Sequence, residues 1–403
     1  MPARPMKSFK PVGGSHPETA TLRSALAHQQ ILAPHTGKPW SEPMLLGLGG
    51  GLGVGYILWE FKKHASASLV LGFQYKWNYP VQFMTSACRR AGALITVRET
   101  AGSARAAAQM DAALAENTPA ITWVHEGGLA YRRVIRGFDD CWGWMLNVYG
   151  RSPDGKEFFV EDLGKRPFTV PSDELTLARG KIPSYRNRLM FVRPGKLQDP
   201  AKAILGGVRD CVKYLTSGSD TFGLPAIRKW ARLMTDTNNP KGWPKVFKSR
   251  RGLFSTLRGI YEGIKHKGSE GAALRFMYSD FLKEAEAPCA RPELREAARY
   301  FRRAGNQWIR LANAAFPADQ SPFREVRNLL DRKYRLLKSG GVSAQAELEK
   351  IGGLLASAYD RGDREFPMTA PAVDDLFLRL QASLEDLHAI ESEAIGALAE
   401  AAR

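Results

Sequence analysis

The hydrophobic pattern changes character near residue 199. Before that point, short apolar runs of strand composition alternate with helical stretches. After it, apolar positions recur at three- and four-residue spacing almost to the end. In the first part a helix is expected over 17–30. Pro17 suits its first turn, where a missing N–H is no loss, and Glu18 complements the helix dipole. A segment over 41–48 then runs into the cluster Gly49, Gly50, Gly51, Gly53 and Gly55. Strands are expected at 67–75, 94–99, 120–124, 144–149, 158–161 and 189–192. Helices are expected at 80–91, stopped by Gly92, at 103–116, and at 172–179 behind Ser172. The Ser-Pro-Asp-Gly sequence at 152–155 is a strong turn joining two of these strands.

The second part predicts helices at 199–216, 224–236, 252–265, 270–286, 291–314, 321–338, 342–359 and 371–402. The last carries Leu376, Leu380, Leu384, Leu387 and Ile390 at helical spacing. Such a stripe either packs on its own domain or forms the seam of a homo-oligomer. The expected layout is a loosely attached arm over 1–11, a mixed α/β domain over 12–195 and an all-α domain over 196–403.

Composition narrows the class. The chain has 403 residues, enough for two or three domains. No apolar run reaches the ~18 residues that span a bilayer. The start, MPARPMKSFKP, lacks the apolar centre of a signal peptide, so a soluble, cytoplasmic protein is expected. Cys88, Cys141, Cys211 and Cys289 lie far apart and read as reduced thiols. Neither they nor His16, His28 and His35 have metal-ligand spacing, and no metal or cofactor is expected. The glycine cluster follows no clear strand and precedes no Lys-Ser/Thr pair. It therefore reads as close backbone packing, not as a nucleotide loop.

The formal net charge is +17, and residues 225–303 hold 18 Lys/Arg against 8 Asp/Glu. Such a surface suits acidic partners: an acidic carrier protein, nucleic acid or an anionic membrane face. A solvated basic face without a partner fits the same count.

Several stretches carry a family resemblance. They are Gly14, His16, Glu18, the helix over 22–28, Ser41-Glu42, and LLGLGGGLG at 45–53. In these the chain resembles the butirosin-biosynthesis H-protein (BtrH-like) family. The resemblance implies a papain-like cysteine-transferase domain that moves an acyl group from an acyl carrier protein to an amine. The second half resembles the helical domain of unknown function that follows in this family, through Phe222-Gly223-Leu224, Trp230, Arg275, Tyr278, Phe281-Leu282, Glu284-Ala285 and Trp308.

Thiol acyl transfer needs a nucleophile, a base and oxyanion donors. The resemblance places the family's cysteine at Pro17, its histidine at Trp144, and its orienting carboxylate at Asp162. The acid survives while the nucleophile and base positions are replaced. A slip of one or two residues recovers no base, because no histidine lies between His125 and His266. Ser15 with His16, and Cys141, are the remaining candidate catalytic groups. Pro17, Glu18, Trp144, Tyr149 and Tyr131 are candidate pocket residues, with aromatic core filling as the alternative. Arg275 and Tyr278 fall on one helical face, as a helix contact or as a substrate wall. The expected role is a binding or scaffold member of the family that has lost the Cys–His mechanism, with a carrier protein or another protein of the same pathway as partner. An active acyltransferase or amide hydrolase with another nucleophile is the first alternative. A basic module for nucleic acid or membrane is the second.

Overall fold

A computed structural model describes residues 6, 8–61, 63, 66–134 and 143–403. The chain begins with α1 (Pro17–His28), a short ladder of β1 (Leu32–Ala33) with β2 (Lys38–Pro39), and α2 (Glu42–Leu48). A hairpin, β3 (Leu52–Phe61) and β4 (Ser66–Gln74), precedes α3 (Pro80–Arg90). Then come β5 (Ala93–Arg98), α4 (Ser103–Ala115), β6 (Ala120–His125), β7 (Gly143–Arg151), β8 (Glu157–Glu161), β9 (Phe168–Pro171), α5 (Ser172–Gly180) and β10 (Leu189–Pro194). The rest is helical: α6 (Pro200–Leu215), α7 (Leu224–Thr235), α8 (Trp243–Val246), α9 (Leu253–Lys265), α10 (Arg275–Cys289), α11 (Glu293–Ala315), α12 (Ser321–Ser339), α13 (Gln345–Arg364) and α14 (Ala370–Ala401). The architecture is thus an α/β region followed by an all-helical one.

Two compact units interleave along the chain. The first holds the residues up to Leu45, Ala91–Leu197 and Asp331–Ala356; the second holds Leu46–Arg90, Gln198–Leu330 and Ser357–Arg403. The boundary is therefore not a single cut near residue 195. The hairpin β3–β4 belongs with the second unit, and a stretch of α12 and α13 with the first.

The first unit is built on a six-stranded antiparallel sheet in the order β5-β10-β6-β7-β8-β9. Helix α1 packs on one face, where Asn147 Nδ2 of β7 donates to Thr21 O at 2.9 Å. The edge strand β9 is protected by a side chain acting as a strand partner. Gln345 Oε1 accepts from Thr169 N at 3.2 Å, and Gln345 Nε2 donates to Thr169 O at 3.1 Å. Residues 1–5 and 7 of the expected arm lie outside the described residues. Met6 and Phe9 are buried: Met6 N donates to Tyr149 O at 3.0 Å, and Phe9 stacks on Tyr149 with centroids 4.6 Å apart. Met6 and Phe9 thus hold their part of the chain against Tyr149 of β7.

In the second unit, helices α6, α7 and α9 pack against the hairpin. Strand β3 was not anticipated, because its first residues are the glycines of the cluster. Gly51 makes the turn into it at φ +71, and a Cβ there would enter the Tyr278 ring. The predicted helix over 270–286 begins five residues later. Glu270, Ala273 and Leu274 are left-handed, and the helix instead runs on through Pro288 to Cys289. The leucine stripe of α14 is buried within its own unit, where the helix packs on α6, α7 and α11.

At the centre of this unit Arg275 and Glu391 form a fully buried ion pair, Nε to Oε1 at 2.7 Å. Arg275 also donates to Ala273 O at 2.8 Å and Gly53 O at 3.2 Å, and Trp308 Nε1 donates to Glu391 Oε1 at 2.6 Å. Removing one partner of a buried pair leaves a charge without compensation. Glu391→Leu is expected to lower the unfolding free energy by about 3–5 kcal/mol in urea titrations. Adding Arg275→Met to it is expected to restore a large part of that loss.

Candidate functional site

The start of α1 is assembled by residues 13–19. Gly13 turns the chain at φ +69, and His16 is extended, at φ −115, as the residue before the helix. The N–H groups of Ser15 and His16 point forward, as a tight turn before a helix directs them. Both are occupied. Ser15 N donates to Glu42 Oε2 at 2.8 Å and His16 N to Glu42 Oε1 at 3.1 Å, and Thr19 Oγ1 donates to Glu42 Oε1 at 3.0 Å. Glu42 lies so close that a side chain at Gly14 would overlap its carboxyl group. The donors that would face an oxyanion therefore hold a carboxylate of the chain itself.

The two nitrogens of His16 face Thr19 Oγ1 and Glu18 Oε2, each at 3.1 Å. Ser15 Oγ is 3.0 Å from Lys338 Nζ, which donates to it. The adjacent serine and histidine are thus turned toward different partners. Pro17 is buried as the first helical residue.

Trp144 and Asp162 do meet. Trp144 Nε1 donates to Asp162 Oδ1 at 2.9 Å. Arg132 Nη1 donates to Asp162 Oδ2 at 2.7 Å, and Tyr131 donates to the same oxygen at 3.0 Å. Arg132 Nη2 reaches Glu126 at 2.9 Å, and its guanidinium lies 3.7 Å from the centre of the Trp144 ring. Burial works against the Arg132 charge, but Asp162 and Glu126 outweigh it and hold the guanidinium above its ordinary range. Burial, then the charge of Asp162, pushes the Tyr131 phenol well up. An indole N–H is a donor only, so this cluster has no neutral-pH proton acceptor of the imidazole kind.

Strand parity divides the candidates between the two faces of the sheet. Residues 143–148 of β7 pair in regular register with β6. Asn147 points at α1, so Gly143 and Met145 share its face, while Trp144, Leu146 and Val148 point the other way. Glu161 and Asp162, consecutive at the end of β8, divide in the same manner. Glu161 sits under α1, accepting from Ser24 Oγ at 2.6 Å, Asn147 Nδ2 at 2.7 Å, Val12 N at 3.1 Å and Gly13 N at 3.2 Å. On that face the Tyr185 ring fills the space a side chain at Gly143 would need. Burial, then the charge of Glu18, raises its phenol above the usual range.

The remaining candidates lie elsewhere. Tyr149 belongs to the cluster with Met6 and Phe9, its phenol pushed up to about 12 by burial and then by Glu161. Arg275 and Tyr278 are fully buried in the second unit, Arg275 against Glu391 and Tyr278 against Phe301. Cys141 lies outside the described residues. Burial pushes the Cys88 thiol up to about 12, and those of Cys211 and Cys289 to about 11, far from a reactive thiolate. Among the described residues, no group of three or more His, Cys, Asp or Glu is placed to hold a metal ion, and no helix is long and apolar enough to cross a membrane. Glu42, Arg132, Tyr185 and Lys338 were missed as site residues. Only Glu42 carried a signal, as part of the Ser41-Glu42 match.

An antiparallel sheet backing a helix that starts at a glycine turn, continued by a helical region, defines the class. Residues 16–163 match the family model of butirosin biosynthesis protein H, N-terminal, and residues 173–336 match a domain of unknown function (DUF4872). The chain belongs to the BtrH-like family. No curated protein matches it.

Burial raises the Glu161 carboxyl to about 7, against the lowering effect of its four donors. A carboxyl with a raised folded pKa binds its proton more tightly in the folded state. Stability from this group is full below about 4.5 and is lost as pH rises through about 7. The stability difference between wild type and Glu161→Gln, from thermal melts, is expected to shift against the wild type over that window and to be flat above it.

Proposed function

We propose that this protein is a binding or scaffold member of the BtrH-like family that no longer performs thiol acyl transfer. One observation carries the reading. The helix that would present a thiolate opens with Pro17, and the N–H groups in front of it are closed by the Glu42 carboxylate. A helix N-terminus lowers a thiol pKa only where a thiol stands there.

The placement of the other groups supports the same reading. Trp144 donates to Asp162 as a histidine N–H would, yet it lies on the sheet face away from α1. Moving the family's histidine position by one residue brings it to Gly143, on the α1 face, where Tyr185 takes up the side-chain space. Neither placement sets a base beside a nucleophile. The basic surface favours an acidic partner, an acyl carrier protein or another protein of the pathway, held without turnover.

The contact between Ser15 Oγ and Lys338 Nζ favours a second reading, an acyltransferase or hydrolase with a serine nucleophile. Intact mass spectrometry after incubation with excess acyl-thioester separates the two. The expected result is an unmodified chain and no thiol release above the uncatalysed rate. A stable acyl adduct that maps to Ser15 and vanishes in Ser15→Ala would establish the second reading and sink the first.

A further inference from the structure

Beside α1, in the first unit, lies an open cleft of about 520 Å³ whose charged lining is of one sign. Arg23 comes from α1, Lys165 and Arg166 from the loop after β8, and Lys338 from the last turn of α12. No Asp or Glu lines the cleft. None of the four cations has a carboxylate partner among the described residues. Several other arginines of this unit do: Arg132 pairs with Glu126 and Asp162, Arg151 with Asp111, and Arg188 with Glu99. The Nε of Arg23 is buried and makes no hydrogen bond. Like charges held together, with a buried donor unsatisfied, oppose folding unless a ligand supplies the counter-charge.

We propose that this cleft binds the phosphate group of an organic phosphate ester. Guanidinium and ammonium donors converging from three chain segments suit a tetrahedral dianion, which accepts from several directions at once. The cleft is of the size of small-molecule sites, larger than a free phosphate needs, so the ligand has a body beyond its phosphate. The inference does not depend on whether thiol chemistry is lost.

Calorimetric titration of the full chain with phenyl phosphate, inorganic phosphate and acetate tests it. Phenyl phosphate is expected to bind in the millimolar range or tighter, with inorganic phosphate competing and acetate not. Lys165→Gln/Arg166→Gln and Lys338→Gln are each expected to weaken binding about tenfold or more, the scale of one lost charge-assisted contact. All three side chains are exposed, so folding is expected to be unaffected, with circular dichroism as the check. Equal affinity for ester and inorganic phosphate would keep the phosphate site and identify free phosphate as its source. No binding to the folded protein, equal competition by acetate, or affinity unchanged in both variants would overturn the proposal.

Discussion

The carboxylate of Glu161 is the point on which the amino-terminal part of the molecule hangs. It is fully buried, and it gathers two backbone N–H groups of the entering chain, a hydroxyl of α1 and an amide of β7. Those four donors come from the turn, the helix and the sheet. With the Asn147 contact to Thr21, they set the position of α1 along β7. A buried carboxyl is an expensive anchor, since desolvation disfavours its charge. Its use here is geometric: one group fixes the direction in which α1 starts, and so where Ser15, His16 and Pro17 stand.

The next residue does the opposite task on the opposite face. Asp162 neutralises Arg132 and holds the indole of Trp144 and the phenol of Tyr131. Tyr131 in turn stacks on Phe168, 4.4 Å between centroids, and Lys333 donates to the Arg132 carbonyl at 2.8 Å. What motif matching assigns to one catalytic line is, in space, two structural networks separated by the thickness of a sheet. In each, the carboxylate is held by donors of the chain itself.

Much of the fold was legible in the pattern of the chain. Strands β4 to β8, with β10, and most helices stand close to where periodicity and turn residues put them, because each has its own local signal. Strand β3 was not legible, since glycines carry no alternation to read. The start of α10 was not, since left-handed Ala273 and Leu274 break a run that propensity favours. That α1 opens with a proline, which carries no thiol, could be read directly. The side of the sheet on which Trp144 points could not, because a family match fixes order along the chain and a shift of one residue reverses the face. Glu42 and Lys338 reach the same turn from far along the chain, and only tertiary structure reveals such partners.

The braided course of the backbone has an evolutionary corollary. The sheet region borrows Asp331–Ala356 from the helical part of the sequence, and with it the Gln345 amide that closes β9 and the Lys333 ammonium that caps the Arg132 carbonyl. A gene fusion or shuffling event that delivered the first 197 codons alone would yield a sheet with a sticky margin and an orphaned carbonyl. Because Gln345 meets only backbone atoms of Thr169, this closure depends on the amide at 345 and not on the side chain at 169.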